Sequence, residues 1–82
     1  MKILYFGSLK ESIGKGEDTI KIDGKKKIYQ IIDELKNSNE KYNTAFTEIK
    51  NLQYAVNCEY VNKNSFVTNK DELAIFPPVT GG

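Results

Sequence analysis

The sequence predicts an α+β fold, in which one main helix and a second short helix cover one face of a mixed sheet of about five strands. Two observations predict it. Runs rich in β-branched and aromatic residues lie near both ends of the chain, and a central stretch repeats apolar residues at helical spacing. Because the helical stretch separates early strands from late ones, the helices are expected to pack on a single sheet.

The first half of the chain opens with a strand at Lys2–Phe6, which is apolar after its first residue. A short helical turn is predicted at Ser8–Ile13 and is ended by Gly14. A second strand, Thr19–Ile22, alternates apolar and polar side chains, as a half-buried strand does. The pair Asp23-Gly24 then predicts a turn.

Two helices are predicted because apolar residues recur at i, i+3, i+4 and i+7. The main helix starts poorly, since the lysine run Lys25–Lys27 stands where a capping Ser, Thr or Asp is expected, and its charges oppose the helix dipole. Tertiary packing is therefore expected to supply most of its stability. The apolar positions are Ile28, Ile31, Ile32 and Leu35 in the main helix, and Tyr42, Ala45, Phe46 and Ile49 in the second.

The last third predicts strands at Leu52–Val56, Tyr60-Val61 and Glu72–Phe76. A turn at 57–59, a polar loop at 62–65 and a turn at 69–71 separate them. This order predicts a β-grasp arrangement, with the first and last strands side by side in the middle of the sheet. The expected organisation is one domain over residues 1–76 and an extended tail over residues 77–82.

Composition excludes several classes of function. The 82 residues contain no histidine and one cysteine, Cys58, and the formal net charge is +1. A histidine general base, a thiolate zinc site and an internal disulfide are therefore not expected. The charge does not favour nucleic-acid binding, and no apolar run approaches the roughly 20 residues of a membrane span. No metal and no bound cofactor are expected, and a cytoplasmic location is the default.

The tail carries the main functional signal. Pro77 and Pro78 cannot continue a sheet ladder, and they favour an extended segment that projects Val79 and Thr80 away from the domain. Gly81-Gly82 at the end of the sequence have no Cβ and suit a narrow channel. A carboxylate there becomes reactive only after activation, for example as an acyl adenylate that sulfur or an amine can attack.

Several segments resemble MoaD-type small subunits of molybdopterin synthase, which are ubiquitin-like sulfur carriers. The ending Phe76-Pro77-Pro78-Val79-Thr80-Gly81-Gly82 is the most specific of them. Ala55-Val56-Asn57-Cys58-Glu59-Tyr60-Val61 resembles an Ala-Val-Asn-x-x-x-Val segment of the family, and residues 4–6 and 10–14 resemble its first strand and following turn. The turn at Asn69–Asp71 and the lysine run depart from the family pattern.

The resemblance implies a mechanism and partners. An adenylating enzyme of the MoeB type uses ATP to activate the carboxylate of Gly82, and a sulfurtransferase system converts it to a thiocarboxylate. The tail then enters the large, MoaE-type subunit, where the sulfur passes to cyclic pyranopterin monophosphate. The catalytic residues are expected on that subunit, so this chain is a sulfur donor and not itself the catalyst. The family assembly is a heterotetramer.

The resemblance also places partner contacts at Phe6, Lys10, Tyr60 and Phe76. The alternative for Phe6 and Phe76 is a place in the core, since adjacent central strands carry core residues. Cys58 is predicted in a turn far from the tail and is not expected to carry the sulfur.

Three other functions remain open on the sequence. They are a sulfur carrier for thiamine, cysteine or tRNA thiolation, a ubiquitin-like protein modifier, and an interaction domain with an inert tail.

Overall fold

A computed structural model describes residues 1–78, so the predicted tail residues Val79, Thr80, Gly81 and Gly82 lie outside the described residues. The described chain forms seven strands and three helices. In chain order these are β1 (Lys2–Tyr5), α1 (Gly7–Ile13), β2 (Glu17–Thr19), β3 (Lys25–Lys27), α2 (Ile28–Ser38), α3 (Glu40–Glu48), β4 (Gln53–Val56), β5 (Glu59–Val61), β6 (Phe66–Thr68) and β7 (Glu72–Phe76).

The main sheet has five strands in the order β2-β1-β7-β4-β5. Strands β1 and β7 pair in parallel, and the other neighbours pair antiparallel. The first and last strands therefore lie side by side at the centre, as predicted. This mixed sheet with its helices is a β-grasp architecture, and the predicted fold class is confirmed.

One face of the sheet is buried against the helices. Ile3 and Tyr5 of β1 and Leu73 and Ile75 of β7 point to this face and are almost fully buried. The helical spacing is confirmed, because the predicted apolar positions of α2 are all buried, as are three of the four assigned to the second helix. Burying each such side chain contributes about 1.5–3 kcal/mol, so this layer is the main source of stability.

The lysine run precedes α2 as predicted, with Lys27 as an N-cap residue that makes no side-chain capping hydrogen bond, but the run itself is a strand. Lys25–Lys27 form β3, which pairs with β6 in a separate two-stranded sheet. The first turn of α2 is satisfied by the loop that precedes β6, since Ile28 N–H donates to the Ser65 carbonyl and Tyr29 N–H to the Lys63 carbonyl, both at 3.0 Å. A distant loop thus replaces the missing capping side chain, which local sequence cannot reveal.

Four of the five predicted strands have different bounds in the structure, and for β4 and β5 the difference is one residue at the start. β1 ends at Tyr5 because Phe6 is the N-cap residue of α1. The second strand is Glu17–Thr19, whereas Thr19–Ile22 was predicted. Beyond Thr19, Ile20 still exchanges hydrogen bonds with Met1, at 2.9 Å from the Ile20 N–H and 2.6 Å from the Met1 ammonium. The Ile22 N–H instead donates to the Asn69 side chain at 2.6 Å. The alternation of residues 19–22 therefore reflects the burial of the Ile20 and Ile22 side chains, and it does not mark a strand over the whole segment.

The turn that departs from the family pattern is tightly bonded. In it, Asp71 accepts a hydrogen bond from the Thr68 N–H and another from the Asn57 amide, both at 2.8 Å. These bonds, that from Asn57 first, hold the pKa of the Asp71 carboxyl below its usual value. The departure in sequence therefore leaves β7 firmly anchored at its start.

Candidate functional site

The face of the sheet opposite the helices is open. One row of side chains crosses it from β1 to β5, because Leu4 lies opposite Ala74, Ala74 opposite Ala55, and Ala55 opposite Tyr60. Because the two central residues of this row are alanines, no large side chain projects from its middle. The middle of the open face is therefore flat and apolar, while Lys2 and Glu72 pair beside it on the same face. A flat surface with an apolar centre and charged surroundings suits contact with another protein.

Three aromatic rings gather at one end of this face, and we call Phe6, Tyr60 and Phe76 the aromatic surface. The ring of Phe76 lies between the other two, 6.4 Å from Phe6 and 5.8 Å from Tyr60 between centroids, in edge-to-face geometry. Phe6 is 47% exposed and Tyr60 78%. Phe6 is thus not a core residue, and Phe76 is only partly buried.

The tail leaves the domain at the aromatic surface. Pro77 directly follows Phe76 and packs against Gly7, where an added Cβ would lie 3.0 Å from the Pro77 Cγ. Gly7 also has a φ of +57°, which favours glycine. The start of the tail is therefore held between the aromatic surface and the beginning of α1.

Lys10 lies on α1 near this exit. Its side chain is exposed and runs along the main chain of Gly16, where an added Cβ would come within 3.3 Å of the Lys10 Cε. Lys10 and Gly7 line the same shallow depression, together with Glu11, Gly14 and Lys15. All four residues predicted to contact partners therefore lie near the end of β7, although the partner role of each stays a prediction.

Cys58 lies at the other end of the sheet. It is exposed in the turn between β4 and β5, with a φ of +71°. The neighbouring Asn57 N–H donates to the Glu72 carbonyl at 2.9 Å, which fixes the turn at the start of β7. The tail leaves from the end of that strand, about 13 Å away at 3.3 Å per residue. The thiol is thus far from the tail exit.

The described residues offer little else of catalytic character. Within residues 1–78 there is no group of three or more His, Cys, Asp or Glu side chains that could hold a metal ion. The same part of the chain has no helix of the length and apolarity that a bilayer crossing requires.

A polar cluster behind the aromatic surface was missed by sequence reasoning. The Asp18 carboxylate accepts hydrogen bonds from the Tyr5 hydroxyl at 2.8 Å, from the Lys15 ammonium at 3.0 Å and from the Tyr42 hydroxyl. It therefore ties β1, β2 and α3 together next to Phe6. Lys15 and Asp18 are three residues apart, but Tyr5 and Tyr42 come from distant segments, so no sequence pattern could have indicated the whole cluster.

The electrostatics of this cluster favour the charged carboxylate. Burial alone would raise the pKa of Asp18, but the bonds from Tyr42, Lys15 and Tyr5 outweigh it and hold that pKa below its usual value. The pKa of Tyr5 is raised well above its usual value, first by burial and then by its bond to Asp18. Both phenols therefore stay protonated as donors at physiological pH.

Replacing Asp18 by asparagine is expected to lower the free energy of unfolding by about 1–3 kcal/mol at neutral pH, because a neutral amide is a weaker acceptor for the buried phenols. A carboxyl with a lowered pKa stabilises the fold above its unfolded pKa and loses this effect as pH falls through the folded value. The difference between wild type and Asp18→Asn should therefore diminish below about pH 4.

Urea unfolding at several pH values measures this difference. Asp33→Asn, which removes an exposed carboxylate of α2, is the matched control and should change stability little at any pH. A stability gap for Asp18→Asn that stays constant down to acid pH would contradict the assigned role of the carboxylate.

Comparison with known proteins gives matches along the whole chain. The model of the ThiS family matches residues 3–82. A molybdopterin synthase sulfur carrier subunit of Dictyostelium discoideum is 37% identical, over 99% of this chain and 94% of that protein. One of Arabidopsis thaliana is 30% identical, over 100% and 82%. The structure of H. volcanii small archaeal modifier protein 1 has a TM-score of 0.78 at 22% identity, over 96% and 97%, and so shares the fold.

Proposed function

The chain belongs to the ThiS family, and we propose that it is the sulfur carrier subunit of a molybdopterin synthase. The resemblance to MoaD-type carriers predicted from the sequence is confirmed by these relatives. The observation that carries the proposal is the exit of the tail: central strand β7 ends at Phe76, inside the aromatic surface, and Pro77 leaves the sheet there. A partner that covers this surface also receives the tail.

The chemistry takes place at the carboxylate of Gly82. In an adenylating partner, a carboxylate oxygen attacks the α-phosphorus of ATP, and pyrophosphate leaves. A persulfide sulfur supplied by a sulfurtransferase then attacks the acyl carbon and displaces AMP, which gives an acyl disulfide. A second thiol reduces the sulfur–sulfur bond, so that the chain keeps a terminal thiocarboxylate and the two thiols leave joined as a disulfide. In the large synthase subunit, that sulfur attacks an electrophilic carbon of the pterin precursor, so that a carbon–sulfur bond forms as an oxygen substituent leaves that carbon and the chain is held as a thioester. Water finally releases the carboxylate.

In these steps the chain positions its tail in each partner, and the partners supply the catalysis. Its sequence has no histidine, the most frequent general acid–base residue, and the catalytic residues are proposed to lie on the large subunit. The aromatic surface supplies rings that can anchor a partner, and Lys10 adds a positive charge beside the exit. Because the adenylating enzyme and the large subunit both need the tail, we propose that both use this surface in turn. Since the first of them consumes ATP, the proposed location is the cytoplasm.

The alternative functions differ in the acceptor of the activated carboxylate or of its sulfur. A carrier for thiamine, cysteine or tRNA thiolation would form the same thiocarboxylate but bind a different acceptor enzyme. A protein modifier would instead form an amide with a lysine. Several structures of the same fold are named as modifiers, at identities that support the fold alone. Co-purification with a pterin-binding large subunit favours the proposed function, whereas lysine-linked adducts favour a modifier.

Intact-mass analysis after co-expression with an adenylating enzyme and a sulfurtransferase tests the proposal. We expect the mass gain of one oxygen replaced by sulfur, located in the C-terminal peptide. Cys58→Ser is the matched control and should gain the same mass, because the exposed thiol is not the carrier. An unchanged mass, or sulfur that is lost with Cys58, would exclude the mechanism.

A further inference from the structure

Two exposed aromatic residues and two lysines lie together on the two-stranded sheet and at the start of α2. We call these residues, Lys25, Lys27, Tyr29 and Phe66, the basic patch. Phe66 is 51% exposed and Tyr29 37%. The Lys25 ammonium lies 4.5 Å from the centroid of the Phe66 ring, and that of Lys27 lies 5.5 Å from it. Lys27 is also 5.9 Å from the Tyr29 ring. Two ammonium groups thus flank an aromatic ring that faces solvent.

Strand pairing fixes the direction of these side chains. Lys27 pairs with Phe66, whereas the middle pair is Lys26 with Val67, which is fully buried. Alternation along the strands therefore turns Val67 into the core and Phe66 outwards, with Lys25 and Lys27 beside it. The hydrogen bond from Tyr29 N–H to Lys63 fixes the start of α2 next to the patch. Backbone hydrogen bonds therefore hold the residues of the basic patch in place in the free chain.

The charges of the patch are not neutralised within the described chain. Lys26 forms an ion pair with Glu34 at 2.7 Å, but among residues 1–78 neither Lys25 nor Lys27 forms one. The Asp71 carboxylate, near the far end of β6, is engaged by Thr68 and Asn57. A cation over a ring still directs N–H donors to solvent, so both lysines can bind anionic groups.

The basic patch and the aromatic surface lie on different sides of the molecule. Val67 belongs to the core on the helix-covered side of the main sheet, and Phe66 points away from that core. Phe76 and Tyr60 stand on the open face, across the sheet. A ligand on the basic patch therefore leaves the exit of the tail accessible.

We propose that the basic patch binds an acidic segment of a partner protein, in which carboxylates flank an apolar side chain. The carboxylates pair with Lys25 and Lys27, and the apolar side chain packs on the Phe66 ring. A peptide is favoured over nucleic acid because the net charge is only +1 and two free ammonium groups neutralise few phosphates. Such a segment would tether a partner while the tail is in use, which raises its effective concentration. The proposal does not depend on the sulfur-carrier function.

The test is a titration of the full chain with the synthetic peptide Glu-Glu-Phe-Glu-Glu, followed by amide chemical shifts at two salt concentrations. We expect shifts over residues 25–29 and 66–68, and weaker binding at higher salt. The double variant Lys25→Glu, Lys27→Glu should bind about tenfold more weakly, since it turns two attractions into repulsions. Phe66→Ser should weaken binding severalfold, and each variant's spectrum shows whether it is folded.

The double variant Lys41→Glu, Lys50→Glu is the matched control, because it changes net charge equally at exposed sites outside the patch. It should bind the peptide like the wild type. The proposal is overturned if both double variants lose the same affinity, if the shifts centre on Tyr60 and Phe76, if no binding is seen at millimolar peptide, or if a single-stranded RNA oligomer binds more tightly at the same salt.

Discussion

Deletion of Gly82 is expected to abolish sulfur transfer while changing the free energy of unfolding by less than about 0.5 kcal/mol. The deletion leaves Gly81 with a terminal carboxylate, but one residue fewer shortens the reach of the tail by about 3.3–3.6 Å. A misplacement of about 1 Å at a reacting centre can already cost about a hundredfold in rate. The folded core is untouched, because it is built by residues within 1–76.

The measurement is dithiolene formation in a reconstituted assay that contains the large subunit, the adenylating enzyme and a sulfur source. Gly82→Ala is the matched variant, since it keeps the length and the carboxylate and adds only a Cβ, so it should keep more activity than the deletion. Wild-type activity in the deletion variant would show that the carboxylate of Gly82 is not the reacting group.

Replacing Tyr60 by alanine is expected to weaken binding to the large subunit by about 2 kcal/mol or more, roughly thirtyfold. Tyr60 is 78% exposed, and its ring packs against Phe76 where the tail begins. An exposed aromatic ring on a flat face is the type of residue that dominates protein interfaces. Because it lies on edge strand β5, its loss should cost the fold little.

Isothermal titration calorimetry of the two subunits gives this difference directly. Lys50→Ala truncates an exposed side chain outside both the aromatic surface and the basic patch, and should leave the affinity for the large subunit unchanged. Equal losses in the two variants would show that the aromatic surface is not the specific docking site. Circular dichroism of both variants separates a binding defect from a folding defect.

Local patterns in the sequence determined the elements that bury apolar side chains. The spacing from Ile28 to Leu35 predicted a helix because one helical face must meet the sheet, and that face is buried. The apolar run of β1 and the alternation of β7 predicted two central strands for the same reason. The role of the tail stays a prediction, which depends on the chemistry of Gly81-Gly82 after Pro77-Pro78 and not on any pairing of elements.

Contacts between distant segments could be decided only by the tertiary structure. The lysine run became a strand because β6 lies beside it and a later loop caps α2, and no local signal reports either contact. Asp18 meets Tyr5 and Tyr42 across elements far apart in the chain. Likewise, three separate segments carry Phe6, Tyr60 and Phe76 to the same end of the open face, where their rings form one surface. Periodicity reports which side of an element is buried, but pairing partners and shared sites depend on how the elements assemble.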